Sequence, residues 1–236
     1  MSPETGPSPA FPDGTANFRA VPAVRPGWLF RSDSLHSATP AGARFLTGRL
    51  GVGAVLDLRS AAERASQPHA PLAPRVRYAH VPLREIGELP RDTDDLLGHI
   101  YVEHLGHDPH LPAAVEMLSS LLARSPTVVC CAAGKDRTGM VIALSLGLAG
   151  APREVILRDY LASGPNMPQV VDKLKRLSRY RVAIERLPHA LYECRASSMA
   201  MLLDAVEREH GSFHGWARAA GVSAHAMTTL RAALDP

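Results

Sequence analysis

The residues with the clearest chemical potential are Cys131 and Arg137, which have five residues between them in the stretch Cys-Ala-Ala-Gly-Lys-Asp-Arg. The β-branched run 127–130 before them predicts a strand, and the apolar stretch 138–150 after them predicts a buried helix. A loop between a strand and a helix N-terminus turns successive backbone N–H groups inward and suits an anion such as a phosphate. The spacing therefore predicts a phosphate-binding loop that carries its own nucleophile.

Several residues of this stretch, residues 131–137, which we call the phosphate loop, have a predicted role. The positive field favours the thiolate of Cys131, which can attack phosphorus and form a cysteinyl-phosphate. Arg137 is always charged and its fork can bind two phosphate oxygens. Gly134 allows close backbone approach, and Thr138 can donate a hydrogen bond to the sulfur as it leaves. Together they predict phosphomonoester hydrolysis without a metal or cofactor.

Phosphate is expected to contact the loop from the second residue onward. Lys135 leaves two interpretations open, because it can hold a second phosphate or be a solvated side chain that only adds positive charge. The predicted phosphate-binding residues are Ala132, Ala133, Gly134, Lys135, Asp136 and Arg137.

The reaction also needs an acid that protonates the leaving oxygen and later acts as a base. Asp136, inside the loop, is the first candidate. Asp57 is the second, because it lies in the predicted strand 54–58, although a simpler role as partner of Arg59 is favoured. A third group of acids lies on a predicted loop or helix start, where these residues more simply cap a helix. This group is Asp92, Asp94 and Asp95.

The run 133–139 resembles the loop of cysteine-dependent tyrosine and dual-specificity phosphatases, and it is most similar to that of the bacterial tyrosine and lipid phosphatases. The resemblance covers nearly the whole chain. Other segments that fit this family are Asn17–Arg19, Leu29–Leu35, Val55–Ser60, Asp159–Leu161 and the tail Gly211–Leu234.

The resemblance implies an α/β fold with a central sheet of about four to five strands, flanking helices and a helical C-terminal part. It also implies phosphorylated proteins as substrates, with phosphotyrosine first, and a dual-specificity or phosphoinositide phosphatase as the alternative. It supports Asp136 as the acid. The chain departs from the family at Cys130, where a histidine is usual, so an inactive phosphate-binding relative remains a further alternative. Cys130 is more simply a small buried strand residue.

Hydrophobic residues make up 46% of the 236 residues, which is enough for one α/β core. We predict a disordered tail over 1–16, rich in Pro, Gly, Ser and Thr, and a single domain over 17–236. Periodicity predicts further elements in chain order. These are a helix over 40–50, strands over 54–58 and 76–81, and helices over 93–105, 112–123 and 138–150.

The stretch 168–186 alternates apolar residues with cationic ones and predicts one basic amphipathic helix. Such a helix most simply docks on the core with a solvated face. The sharper hypothesis is a helical lid over about 165–190 that covers the phosphate site or touches an anionic membrane surface.

Three cysteines, two of them adjacent, do not form a disulfide framework, and no signal peptide or membrane span is recognisable. These features favour the cytoplasm and leave secretion without a signal peptide open.

Two other functional classes have weaker support. The spacing of Ala217, Gly221, Met227 and Leu230 matches a helix-turn-helix, but the second helix carries few cations, so core packing is favoured and no nucleic acid is expected. A metal-dependent phosphatase would use three histidines and an acid that do not converge in the predicted elements. These are His104, His107, His110 and Asp108.

Overall fold

The structure is a computed structural model, and it describes residues 11–22, 25–69, 72–85 and 93–234. A five-stranded sheet in the order β1-β2-β5-β3-β4 lies at its centre, and all neighbouring strands except the pair β1 and β2 are parallel. The strands are β1 (Arg19–Ala20), β2 (Leu29–Ser32), β3 (Ala54–Asp57), β4 (Arg77–His80) and β5 (Thr127–Cys130). The α/β class, the strand number and the three strands predicted from periodicity are confirmed.

Strand β5 occupies the middle of the sheet, and every residue of β2, β3 and β5 is buried. Parallel strands buried on both faces are expected to be nearly continuous apolar runs, as β5 is. In register, Cys130 pairs with Ser32 on one side and Asp57 on the other. The segments that follow these strands therefore meet at one edge of the sheet, and the phosphate loop leaves β5 there.

The helices form a large layer on one face of the sheet and a small one on the other, because alternate strand residues such as Leu56 and Val55 belong to two separate apolar clusters. The helices are α1 (Pro40–Arg44), α2 (Ala61–Ser66), α3 (Leu96–His107), α4 (His110–Leu122), α5 (Asp136–Leu148), α6 (Arg153–Leu161), α7 (Met167–Lys175), α8 (Ser178–Arg186), α9 (Ala196–His210), α10 (Phe213–Ala219) and α11 (Ala224–Leu234).

Helix α5 is buried from Thr138 to Leu148, as predicted for the helix that follows the loop. The predicted helix over 40–50 is α1 continued by a π-helical turn, Phe45–Arg49. Helix α3 begins later than predicted because Asp95 caps it, its carboxylate accepting the Gly98 N–H at 2.8 Å.

The single amphipathic helix predicted over 168–186 is wrong, because the chain divides there into α7 and α8. Leu177 has extended backbone angles, φ −99° and ψ 121°, between the two helices. Met167, Val170 and Leu174 of α7 are buried, whereas no described residue of α8 is buried. The break lets both helices face the site described below.

The disordered tail predicted over 1–16 does not hold for residues 11–16, and residues 1–10 lie outside the described ranges. The Ala16 N–H donates to Asp33 Oδ1 at 2.9 Å, and the Thr39 N–H donates to the Asp13 carbonyl at 3.1 Å. This segment is therefore part of the folded body.

The C-terminal helices pack on the core, as favoured over a helix-turn-helix. Ala217 and Leu230 are fully buried against the cluster that contains α3, α4 and α5, and Met227 is half-buried. Within the described ranges, no helix is long and apolar enough to cross a membrane.

Candidate active site

The phosphate loop is held by hydrogen bonds to its outer side. Four consecutive carbonyl groups, those of residues 132–135, accept hydrogen bonds from donors on the N-terminal segment and β2. Engaging the carbonyls this way leaves the intervening N–H groups free to face the opposite side, as an anion site requires. The pairs are Ser34 N–H to Ala132 (3.3 Å), Asn17 Nδ2 to Ala133 (3.0 Å), and Arg31 Nη2 to Gly134 (2.8 Å) and Lys135 (3.3 Å).

Arg31 is the central donor of this set, and sequence reasoning did not assign it a role. Its side chain is fully buried and forms an ion pair with Asp159 of α6, so that its charge is compensated. The signal was present, since an arginine inside a buried strand requires a carboxylate partner. The identity of that partner, 128 residues further along the chain, was not readable.

Gly134 has the backbone conformation predicted for close approach. Its φ is +68°, and a Cβ at this position would lie 2.4 Å from the carbonyl carbon of Ser32. Any other residue would be strained by its φ and would collide with β2. The loop can therefore pass this close to the strand only with glycine.

Cys131 lies at the bottom of the site and is 1% exposed. Its Sγ accepts a hydrogen bond from the Gly134 N–H at 3.2 Å. The buried Thr138 hydroxyl has no hydrogen-bond partner among the described residues, and the bond expected from it to the sulfur as it leaves stays a prediction. Burial, and then the charge of Asp57, raise the pKa of Cys130 well above its usual range, so that Cys130 is a neutral strand residue.

Arg137 forms an ion pair with the carboxylate of Glu63 on α2, a residue that sequence reasoning missed. Its Nη1 and Nη2 donate to the two Glu63 oxygens at 2.6 and 2.8 Å, and Nη1 also donates to the Leu58 carbonyl at 3.4 Å. Of the five N–H donors, those left over are the Nε–H and one Nη2–H, which lie on one edge of the guanidinium. These two N–H groups form a fork that can donate to two oxygens of one phosphate group.

Glu63 is buried, and its carboxylate accepts hydrogen bonds from several residues. It closes a capping box with Ser60, whose N–H donates to Oε2 at 2.6 Å, and the Tyr180 hydroxyl donates to Oε1 at 2.6 Å. Burial alone would raise its pKa, but the hydrogen bonds and charge of Arg137, with the other donors, lower the pKa of Glu63 to about 2. The carboxylate is thus ionised at neutral pH and fixes Arg137.

Asp136, the first candidate acid, has one oxygen held and one open. Its Oδ1 accepts hydrogen bonds from the Tyr101 hydroxyl at 2.5 Å and from Lys135 Nζ at 2.6 Å, whereas Oδ2 has no hydrogen-bond partner within the described part of the chain. Burial, and then the charge of Asp136, raise the pKa of Tyr101 well above its usual range, so this hydroxyl stays a donor. The arrangement orients the carboxyl and leaves one oxygen for chemistry.

Lys135 is not the solvated lysine of one interpretation. Its side chain is 1% exposed and pairs with Asp136. Since it also lines the site, its charge is available to an anion bound there.

Asp57, the second candidate, is bound as the simpler interpretation predicted. Its carboxylate accepts from Arg59 Nη2 at 2.9 Å and from the Arg59 N–H at 3.0 Å, and it is fully buried. Burial would raise its pKa, but His69 and Arg59 hold the pKa of Asp57 well below its usual range. In the third group, Asp95 caps α3, Asp94 is exposed and Asp92 lies outside the described residues.

A cavity of about 210 Å³ lies above the loop and Cys131. The loop forms one side, α3 and α5 contribute aromatic and thioether walls, and α7 and α8 cover the opposite side. The covering and lining side chains include Tyr101, Met140, Met167, Leu174, Tyr180, Ile184 and Leu187. Side chains of α7 and α8 thus line the cavity, and the role of this segment as a lid stays a prediction.

The histidines considered as metal ligands do not form a site. His104 Nδ1 lies 3.2 Å from Asp108 Oδ2, and the same carboxylate accepts the N–H groups of Arg84 and His110. No group of three or more potential ligands suited to a metal ion occurs among the residues the structure describes. Asp108 thus ties α3 to the start of α4.

Comparison with known structures gives partial matches. The catalytic core of the PP-IP phosphatase SIW14 from S. cerevisiae is 18% identical and covers 72% of this chain and 91% of that one, with a TM-score of 0.42. TpbA from P. aeruginosa is 19% identical, with 72% and 98% coverage and a TM-score of 0.38.

Comparison with known sequences covers nearly the whole chain. The triple specificity protein phosphatase PtpB of Mycobacterium tuberculosis is 30% identical over 94% of this chain and 97% of its own length. A tyrosine-protein phosphatase of Nostoc commune is 29% identical over 91% and 82%. The model of the tyrosine phosphatase family matches residues 13–235. The chain therefore belongs to this tyrosine phosphatase family and is a cysteine-dependent phosphatase.

Proposed function

We propose that this protein hydrolyses phosphotyrosine in proteins, with Cys131 as nucleophile, Arg137 as phosphate clamp and Asp136 as acid and base. The observation that carries the proposal is the open Nε and Nη2 edge of Arg137, which shares one cavity with the Cys131 sulfur. Two donors on one edge and inward loop amides match the three terminal oxygens of a phosphate ester.

The first half-reaction is a displacement at phosphorus. The Cys131 thiolate forms the S–P bond, the P–O bond to the phenol breaks, and the leaving oxygen takes the proton from Asp136. Arg137 and the loop amides stabilise the charge on the equatorial oxygens.

The second half-reaction regenerates the enzyme. Water gives a proton to the Asp136 carboxylate and attacks phosphorus, the S–P bond breaks, and Cys131 leaves as thiolate with inorganic phosphate as the product. The Gly134 N–H, already bonded to the sulfur, stabilises that thiolate, and the unpartnered Thr138 hydroxyl is a second donor for it.

The size and lining of the cavity favour an aryl phosphate. About 210 Å³ is below the ~300–1,000 Å³ of typical small-molecule sites, so it suits one phosphorylated side chain. Its walls include Tyr101, Met140 and Ile184, which can pack against a ring. A phosphoinositide is the second candidate, because Lys135 supplies a buried second cation and the relative PtpB is called a triple specificity phosphatase.

The experiment is release of phosphate from p-nitrophenyl phosphate in the presence of a chelator. We expect wild-type turnover to disappear in Cys131→Ser and to stay within about twofold in Cys194→Ser, a matched thiol replacement outside the cavity lining. Equal rates in Cys131→Ser and wild type would refute the assignment of Cys131 as the nucleophile.

Substrate class is tested by kcat/KM for peptides with phosphotyrosine or phosphoserine and for phosphoinositide in vesicles. A preference of at least about tenfold for the phosphotyrosine peptide is expected. Preference for the lipid would replace the leading proposal with the second candidate.

A further inference from the structure

Tyr180 on α8 touches the phosphate clamp through one intermediate residue. Its hydroxyl lies 2.6 Å from Glu63 Oε1, the same oxygen that accepts Arg137 Nη2 at 2.8 Å. Burial, and then the charge of Glu63, raise the pKa of Tyr180, so this hydroxyl stays protonated and donates. One oxygen atom therefore joins the covering helix to the phosphate-binding arginine.

The shared oxygen matters because Nη2 has two tasks. One of its hydrogens binds Glu63, and the other belongs to the edge left open for phosphate. The position of Oε1 thus sets the direction of a donor that phosphate needs. A displacement of Tyr180 that shifts Oε1 also tilts the open edge of Arg137.

A second contact docks α8 without a direct hydrogen bond to the Glu63 carboxylate. Arg179 Nη2 pairs with Glu85 Oε1 at 2.5 Å, and both side chains are partly exposed. Glu85 also accepts the Ser60 hydroxyl, and the Ser60 N–H donates to Glu63 Oε2, so this contact reaches the clamp only through two further residues. Tyr180, in contrast, donates to Glu63 directly, so the two neighbours Tyr180 and Arg179 both dock α8 but differ in how directly they act on the clamp.

We propose that Tyr180 is a positioning residue that transmits the docked position of α8 to Arg137, so that the phosphate clamp has full affinity only while α8 is docked. This inference rests on the proposed role of Arg137. It gives α8 a part in binding phosphate itself, besides covering the cavity.

The test is calorimetric titration of inorganic phosphate into the full-length protein, which requires no turnover. Tyr180→Phe removes only the hydroxyl, and we expect phosphate to bind about three- to tenfold more weakly, in keeping with one lost hydrogen bond to a charged group. Arg179→Gln, the matched control, should bind phosphate within about twofold of wild type. Equal weakening in both variants, or no change in Tyr180→Phe, would overturn the inference.

A double-mutant cycle with Glu63→Gln tests the route. If Tyr180 acts through Glu63, adding Tyr180→Phe to Glu63→Gln should weaken phosphate binding by less than about twofold further. Full additivity of the two changes would contradict the route. Thermal unfolding identifies any variant that does not fold. If Glu63→Gln does not fold, the comparison of Tyr180→Phe with Arg179→Gln alone decides whether Tyr180 positions the clamp.

The inference and the proposed function fail in different ways. A wild-type protein that binds phosphate but does not turn over p-nitrophenyl phosphate would refute the proposed reaction, while the titrations still decide the role of Tyr180. If the wild type is active and Tyr180→Phe binds phosphate as tightly as the wild type does, only the inference about Tyr180 is refuted.

Discussion

Helices α7 and α8 cover the same cavity but are attached to the body in different ways. Helix α7 buries three apolar side chains, Met167, Val170 and Leu174, and its Lys173 donates to three oxygens, including Asp33 Oδ2 at 2.6 Å. Among its described residues, α8 has none that is buried, and its polar contacts to the body are those of Tyr180 and Arg179.

The difference indicates that the two helices are held to the body with different strength. A buried aliphatic side chain contributes about 1.5–3 kcal/mol, whereas a partly exposed ion pair contributes about 0–1 kcal/mol. Helix α7 is therefore a firmly held wall of the site, and α8 is a more weakly held cover.

The sharpest contrast is expected from truncating one apolar residue in each helix. Leu174→Ala removes a side chain that is 6% exposed and should lower the free energy of unfolding by about 3 kcal/mol. Val182→Ala removes one that is 46% exposed and should change it by less than about 0.5 kcal/mol. Urea unfolding measures both, and equal losses would remove the distinction between wall and cover.

The ion pairs of the two helices offer a second contrast. Lys173→Met leaves Asp33 buried without its cation and should cost about 2–3 kcal/mol, somewhat less than a fully buried pair because Lys173 is partly exposed. Arg179→Gln breaks a partly exposed pair and should cost about 0.5 kcal/mol or less. Thermal unfolding of the two variants side by side would show this, and a larger loss in Arg179→Gln would reverse the comparison.

Lowering the pH should reduce the free energy of unfolding through His36, which lies in the positive field of Lys173 on α7. Burial, and then the charges of Lys173 and Arg59, lower its pKa from 6.5 to about 4. Because the unfolded chain binds the proton at higher pH than the folded chain, this contribution to stability is complete above about pH 6.5 and is lost as the pH falls toward 4.

The loss should be about 1–2 kcal/mol after allowance for partial exposure, and His36→Asn should remove it. Unfolding measured between pH 7 and 5 tests this, with His189→Asn as the exposed control. An unchanged pH slope in His36→Asn would show that other groups cause the acid loss.

The phosphate loop was predictable because its parts are adjacent in sequence. A strand, a seven-residue loop and a buried helix follow one another, so residue spacing alone specified the fold around Cys131 and Arg137. Most elements followed from periodicity for the same reason, whereas the architecture of the sheet and its flanking helices was implied by the resemblance to the family.

What was missed depends on residues far apart in the chain. Glu63 lies 74 residues from Arg137, and its capping box with Ser60 is a local feature that does not indicate this second role. The burial of Lys135 follows from packing around the site. The break at Leu177 has neither proline nor glycine to mark it, and it arises because α7 and α8 must both turn toward one cavity.

The hydrogen bonds that orient the loop also set when this enzyme becomes active during its synthesis. The loop carbonyls are held by Asn17 and Arg31, which lie 116 and 103 residues earlier, and Arg31 is neutralised by Asp159. Contacts of such long sequence separation form late in folding. A nascent chain that already exposes Cys131 therefore lacks an aligned anion site, and the contacts that align the loop are completed only after α6 has left the ribosome.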